Sequence, residues 1–216
     1  VPKPSEATPA VGRPRRFDDD TERRMLVSAA MRVLARTDTL SVGDVLIEAG
    51  LSTRAFYRHF DSKEALLETL MLREARAVGR SLEDVVAHAP DPVAAVEAWL
   101  SRFLEVFYEP RRAERAALLS SAAYRVSRPS AEMMSEMRRI SCAPLAEALR
   151  AGHEAGVLYS PTHEADAFSI YNLVHASREA SEGGETDRAA TMAHVVRFAW
   201  PALRLGDAGN GSRSGD

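Results

Sequence analysis

The chain has a single cysteine, Cys142, in 216 residues. No disulfide can form within it, so the fold must come from a packed core rather than cross-links. A lone thiol suits a reducing compartment and reads more readily as a small buried apolar residue than as a redox sensor. No uninterrupted apolar run approaches the roughly 20 residues that span a bilayer. The start of the chain, rich in proline and polar residues, offers no apolar signal core. The expected location is cytoplasmic, with no membrane partner. Six scattered histidines and one cysteine give no metal-ligand spacing. A glycine-rich phosphate loop, G-x-S-x-G and H-E-x-x-H are all missing. Enzyme chemistry is therefore not expected, nor is a cofactor. A surplus of positive charge is missing too: the formal net charge is −3, which argues against indiscriminate binding to nucleic acid.

The charge that is present is unevenly spread. Residues 1–63 hold 11 Lys and Arg against 9 Asp and Glu, so the small positive surplus sits at the N-terminal end. That end also carries the most ordered pattern of local signals, from Ser41 to Lys63. Ser41 can cap a short helix, with Asp44 three residues on, where a carboxylate favours a helix N-terminus. Val42, Val45, Leu46 and Ala49 recur at helical spacing. Gly50 suits the left-handed position past the helix end, and Leu51 pins the turn. Ser52 caps a second short helix on which Phe56 and Phe60 face inward. Thr53, Arg54, Tyr57, Arg58 and His59 share the exposed arc. Asp61 is expected to cap a third helix, with Glu64 three residues later. Two short helices across a tight turn make a helix-turn-helix, whose second helix is shaped for the major groove of DNA.

The run AGLSTRAFYRHFDSKEALL, Ala49 to Leu67, resembles the DNA-binding signature of TetR-family transcriptional regulators, and the likeness extends over about residues 18–72. Leu46 stands where alanine is usual, and Arg54-Ala55 where Gly-Thr is common. The resemblance implies an N-terminal helix-turn-helix domain, a larger all-helical ligand-binding domain, and a homodimer.

The chain around this unit reads as helices throughout. Residues 1–17 have no periodicity and form a disordered basic arm. Arg13, Arg15 and Arg16 lie in it just ahead of the first helix, placed either to meet the minor groove and phosphates or to form a solvated tail. Asp18 to Thr37 is a helix whose first turn holds Asp18, Asp19, Asp20 and Glu22. That cluster reads as capping and dipole chemistry before it reads as a metal site. Leu26, Ala29, Ala30, Val33 and Leu34 are its buried stripe. The third helix of the motif continues towards His88. Asp91-Pro92 opens the next, and Pro110 ends it. Arg111 to Arg128 is another helix, ended by Pro129. Ser130 to Gly156 follows, kinked or split at Pro144. Ser160-Pro161 opens the eighth helix, Gly183-Gly184 breaks it, and the last spans Asp187 to Leu203. His163-Glu164-Ala165-Asp166 reads as an acidic first turn at least as well as a metal site.

The expected fold is all-α, about nine helices. A helix-turn-helix domain over 18–72 precedes a helical-bundle ligand-binding and dimerisation domain over 73–205, with a frayed tail over 206–216. Thr53, Arg54, Tyr57 and His59 would read bases, arginine by two bonds to guanine. Ser41, Ser52, Tyr57 and Lys63 would meet phosphates. An apolar cavity between bundle helices would be lined by Trp99, Phe103, Phe107, Tyr124, Met134, Met137, Phe168 and Tyr171, unless these fill a solid core. Asn172, His153 and His175 are candidate polar anchors in it. The last two helices, apolar on more than one face, suit an intermolecular four-helix bundle or burial within one subunit. The function expected is that of a ligand-responsive DNA-binding regulator, a repressor released from a palindromic duplex operator by a small apolar ligand. The alternative is a constitutive or architectural DNA-binding factor without a ligand.

Overall fold

Helix formation follows the capping signals closely. In the computed structural model, which describes residues 18–126, 129–179 and 187–204, α1 runs Asp19–Thr37, α2 Val42–Ala49 and α3 Thr53–His59. They are followed by α4 Lys63–Ala87, α5 Pro92–Tyr108, α6 Pro110–Val126, α7 Ala131–Glu154, α8 His163–Glu179 and α9 Arg188–Leu203. The side chains of 123–126 and 179 are outside the description. These nine helices and no strand are what the described residues form, so the all-α expectation holds. No described helix is long and apolar enough to cross a membrane.

Asp18, Ser41, Ser52, Asp91, Ser130 and Asp187 each stand at an N-cap in extended conformation, and each side chain accepts a bond from an amide of the first turn. Gly50 ends α2 with φ +65°, the left-handed position glycine adopts without strain. Pro110, expected only to end α5, is itself the first residue of α6, a position where its missing amide costs no bond, and two capped starts differ as well. The N-cap of α4 is Ser62, not Asp61: both residue types cap well, and it is the Ser62 Oγ that accepts from Ala65 N at 3.1 Å. Ser160 does not open α8, which begins at His163. Its buried hydroxyl donates to Asp166 Oδ2 at 2.7 Å, tying the loop to the helix instead of capping it.

α7 runs unbroken through Pro144. Proline has no amide to give the carbonyl four residues back. One residue further on, Ser141 O accepts the indole N–H of Trp99 at 3.0 Å, so α5 is pinned to α7 beside the proline.

Two apolar cores form. The first gathers α1 to α3 and the start of α4 around Leu26, Val33, Phe56, Leu66 and Leu70, and Leu119 and Ala122 of α6 and Met133 of α7 join it. The second is built on Leu82, Trp99, Leu100, Leu104, Leu145, Leu149 and Val174, with Val195 and Leu203 of α9. α4 runs through both, and Gly79 on it lets α7 approach closely: a Cβ there would lie 2.5 Å from Ile140 Cγ2.

Candidate nucleic-acid interface and ligand cavity

α3 is seven residues long and cannot stand alone. It is held by the burial of Ala55 and Phe56, by Phe60 just past its end, and by ring contacts of Phe56 with Tyr57 and Phe60. That leaves Thr53, Arg54 and Tyr57 in solvent, Tyr57 with 56% exposure. These three form a polar arc with bidentate, hydroxyl and aromatic donors, the set needed to meet base edges and phosphates. Ser52 is spent on its cap. Ser41 is engaged on both sides, accepting from Asp44 N at 3.1 Å and donating to Asp44 Oδ2 at 2.5 Å. Lys63 is half-buried at the first position of α4. Arg13, Arg15 and Arg16 fall outside the described residues.

His59 is placed differently from the exposed arc expected of it. Its ring turns inward, Nε2 lying 3.2 Å from Glu22 Oε2, and its side chain is buried. Arg58 joins it: the guanidinium pairs with Glu22, and its Nε lies 3.2 Å from Asp19 Oδ1. Glu22 is only 5% exposed. A buried carboxylate needs such partners, so the two C-terminal residues of α3 clamp it to α1. Asp19, Glu22 and His59 also converge closely enough to hold a metal ion. Arg58 already supplies the positive charge there. The sequence pairs none of these residues visibly, because 36 positions separate Glu22 from Arg58. Ile47, at 83% exposure, is a large apolar side chain left on the surface of α2. Its signal was its place off the stripe formed by Val42, Val45, Leu46 and Ala49.

Between α4, α5, α6, α7 and α8 lies a cavity of about 470 Å³. Of the expected ligand residues, Phe103, Phe107, Met137, Tyr171 and His175 line it. The aromatic wall is continuous: Phe103 to Tyr171 is 5.3 Å between centroids, Phe103 to Phe107 5.5 Å edge-on, and Tyr171 to His175 4.5 Å. Burial pushes the Tyr171 hydroxyl up to about 12, so it stays protonated. Trp99 stands behind this wall, fully buried and stacked on Phe103 at 4.7 Å. Met134 and Phe168 face solvent at 44% and 38% exposure, Phe168 under the guanidinium of Arg138. Asn172 and His153 are exposed as well. Tyr124 lies on α6, but its side chain is outside the described residues. The lining also includes residues not expected there, among them Met71, Glu74, Val78 and Ser81 from α4, and Arg111, Arg112, Arg115 and Leu119 from α6.

A family model described as bacterial regulatory proteins, tetR family, matches residues 26–70. An uncharacterized HTH-type transcriptional regulator of Mycobacterium tuberculosis is 35% identical over 69 residues, and the chain spans 34% of the length of that relative. Among solved structures, a chain from Mesorhizobium loti provisionally described as a TetR-family transcriptional regulator superposes with a TM-score of 0.67 at 16% identity. That match covers 88% of this chain and all of the other. RolR in complex with resorcinol superposes with a TM-score of 0.62 at 17% identity, over 85% of this chain and 92% of that one.

Proposed function

We propose that the chain, whose residues 26–70 match the model of the tetR family of bacterial regulatory proteins, is a ligand-responsive repressor. As a homodimer it binds a near-palindromic operator in duplex DNA, and it lets go when a small ligand with a largely apolar body enters the cavity. The observation that carries the reading is the capped α2–turn–α3 unit, whose second helix stands on a buried Phe56 and leaves Thr53, Arg54 and Tyr57 in solvent. Arg54 is the residue suited to guanine. Tyr57 and Lys63 suit the phosphates that set the register. Arg13, Arg15 and Arg16 of the basic arm over 1–17 would reach the flanking groove. The units over 18–72 and 73–205 divide reading from sensing, with 206–216 as a tail.

Dimerisation has a geometric motive. A two-fold axis sets two recognition helices about 34–36 Å apart, one turn of B-DNA. α8 and α9 are the natural interface, since Phe198 and Phe168 remain exposed on them.

The lining of the cavity supports a route from ligand to DNA. Met71 and Leu119 line it and also belong to the core under the helix-turn-helix, and Met137 packs against that core. A ligand that separates these three side chains favours a state in which the DNA-binding heads are respaced. It shifts the population only by its differential affinity for the two states. That a protein of this fold holds resorcinol supports a small-molecule ligand.

The test is a selection of genomic DNA fragments by the purified chain at two salt concentrations. One enriched inverted repeat is expected at both. The Arg54→Ala variant should stay folded and lose about 1–3 kcal/mol of affinity for that repeat. Binding to all fragments alike that vanishes at moderate salt would instead mark phosphate contacts alone and favour an architectural factor.

A further inference from the structure

Resting on the reading of the α4–α8 cavity as a ligand site, we propose that its ligand is an organic anion. It has an apolar, ring-sized body and a carboxylate or comparable oxyanion head, the head held by arginines of α6.

The lining is polarised. The α6 side of the lining carries three arginines, Arg111 and Arg115 exposed to solvent and Arg112 half-buried, against one carboxylate, Glu74 of α4. Glu74 is taken by Arg115 at 2.7 Å. Among the described residues, Arg111 and Arg112 form no ion pair. Their own helix does not explain them either, because cations in the first turn face the positive end of the helix dipole, the unfavourable end. The first amides of α6 are already met by the carboxylate of Glu109, which accepts from Arg112 N at 2.8 Å. The groups left to receive an anion are the side-chain forks, whose planar donors match a carboxylate in two bonds.

The facing wall has the opposite character. Phe103, Phe107 and Tyr171 present ring faces and edges at 5.3 to 5.5 Å centroid spacing, the geometry in which a further flat ring finds favourable contacts. About 470 Å³ is room for a ring system with a short side chain. An inorganic ion would leave the rings without a partner, and a neutral hydrocarbon would gain nothing from the two arginines. A cation would face the guanidiniums of Arg111 and Arg112, which no carboxylate among the described residues offsets by an ion pair. One ligand class satisfies both walls.

The experiment uses the full chain and matched pairs of probes, 2-naphthoate with 2-naphthamide and decanoate with decanamide, titrated by calorimetry. The acid of at least one pair should bind on the order of ten- to a hundred-fold tighter than its amide. In R111A/R112A that preference should collapse while the affinity for the amide is kept. R111Q/R112Q serves as the second variant should the alanine pair melt early. Equal affinities for acid and amide, or a preference that survives both double substitutions, would overturn the anion while leaving the cavity as a ligand site. Inert acids overturn it as well. Neutral aromatics such as resorcinol then separate the two readings: a raised melting temperature keeps the site, and none sinks the site together with its ligand class.

Discussion

Cys142 shows how burial decides chemistry at the scale of one residue. Desolvation pushes its thiol up to about 11, against the opposing pull of Arg138. The thiolate, which is the reactive form, is therefore scarce at neutral pH. Alkylation of the native chain at pH 7.5 should be slow compared with the same reaction in denaturant, and equal rates would contradict the burial. Glu48 makes a different case. Hydrogen bonds from Arg32 at 2.7 Å and Arg36 at 3.0 Å hold its carboxyl below the ordinary value of 4.5, and they join α2 to α1. A depressed folded value means that the stabilisation is present above 4.5 and is lost as pH falls through the folded value. Denaturant midpoints measured from pH 7 to pH 3 should fall more steeply for the parent chain than for Glu48→Gln.

Among the elements, α7 is tightly constrained near its end by the loop that packs on it. Gly152 sits near its C-terminal end, where a Cβ would meet Leu158 Cδ1 at 2.6 Å, Cγ at 2.9 Å and Cβ at 3.1 Å. Three atoms of one side chain cannot be relieved by a single rotamer change. Leu158 N bonds Gly152 O at 3.0 Å, so the backbone is committed as well. Gly152→Ala should therefore destabilise by about 1–3 kcal/mol in chemical denaturation, although alanine is intrinsically the better helix former. A neutral or stabilising result would mean that the loop after α7 yields freely. α3 lies at the other extreme. It depends on Phe56 and Phe60 beneath it and on the Glu22 clamp at its C-terminal end, so its orientation is a property of α1 as much as of its own residues.

At the scale of the whole molecule, one copy leaves large apolar side chains exposed. Phe198 of α9 is half in solvent beneath the guanidinium of Arg197, 4.7 Å from its ring centroid. The proposed two-fold assembly would bury that ring against a second copy. Sedimentation should show Phe198→Glu as a monomer under conditions where the parent chain is a dimer, with unchanged helical content. A variant that stays dimeric would move the interface off this face of α9. The same substitution should weaken binding to an inverted repeat far more than binding to a half-site, because only the dimer spans both grooves.

Much of this architecture is legible in the residue order, and the rest is not, for a physical reason. Capping and turn chemistry acts over three or four residues. Ser41, Ser52, Asp91 and Ser130 therefore announce their helices, Gly50 announces its turn, and the stripe of α1 announces its buried face. Even there, two adjacent cap-competent residues, Asp61 and Ser62, look alike until the backbone chooses. Periodicity tells that Trp99, Phe103 and Phe107 turn inward. It cannot tell whether a side chain is buried against atoms or against space, so tertiary packing alone decides that Trp99 is solid core while Phe103 and Phe107 wall a cavity. The inward turn of His59 and the gathering of Arg111, Arg112 and Arg115 on one wall of that cavity have the same origin. Each depends on a partner surface dozens of residues away in the chain, and no local rule reaches that far.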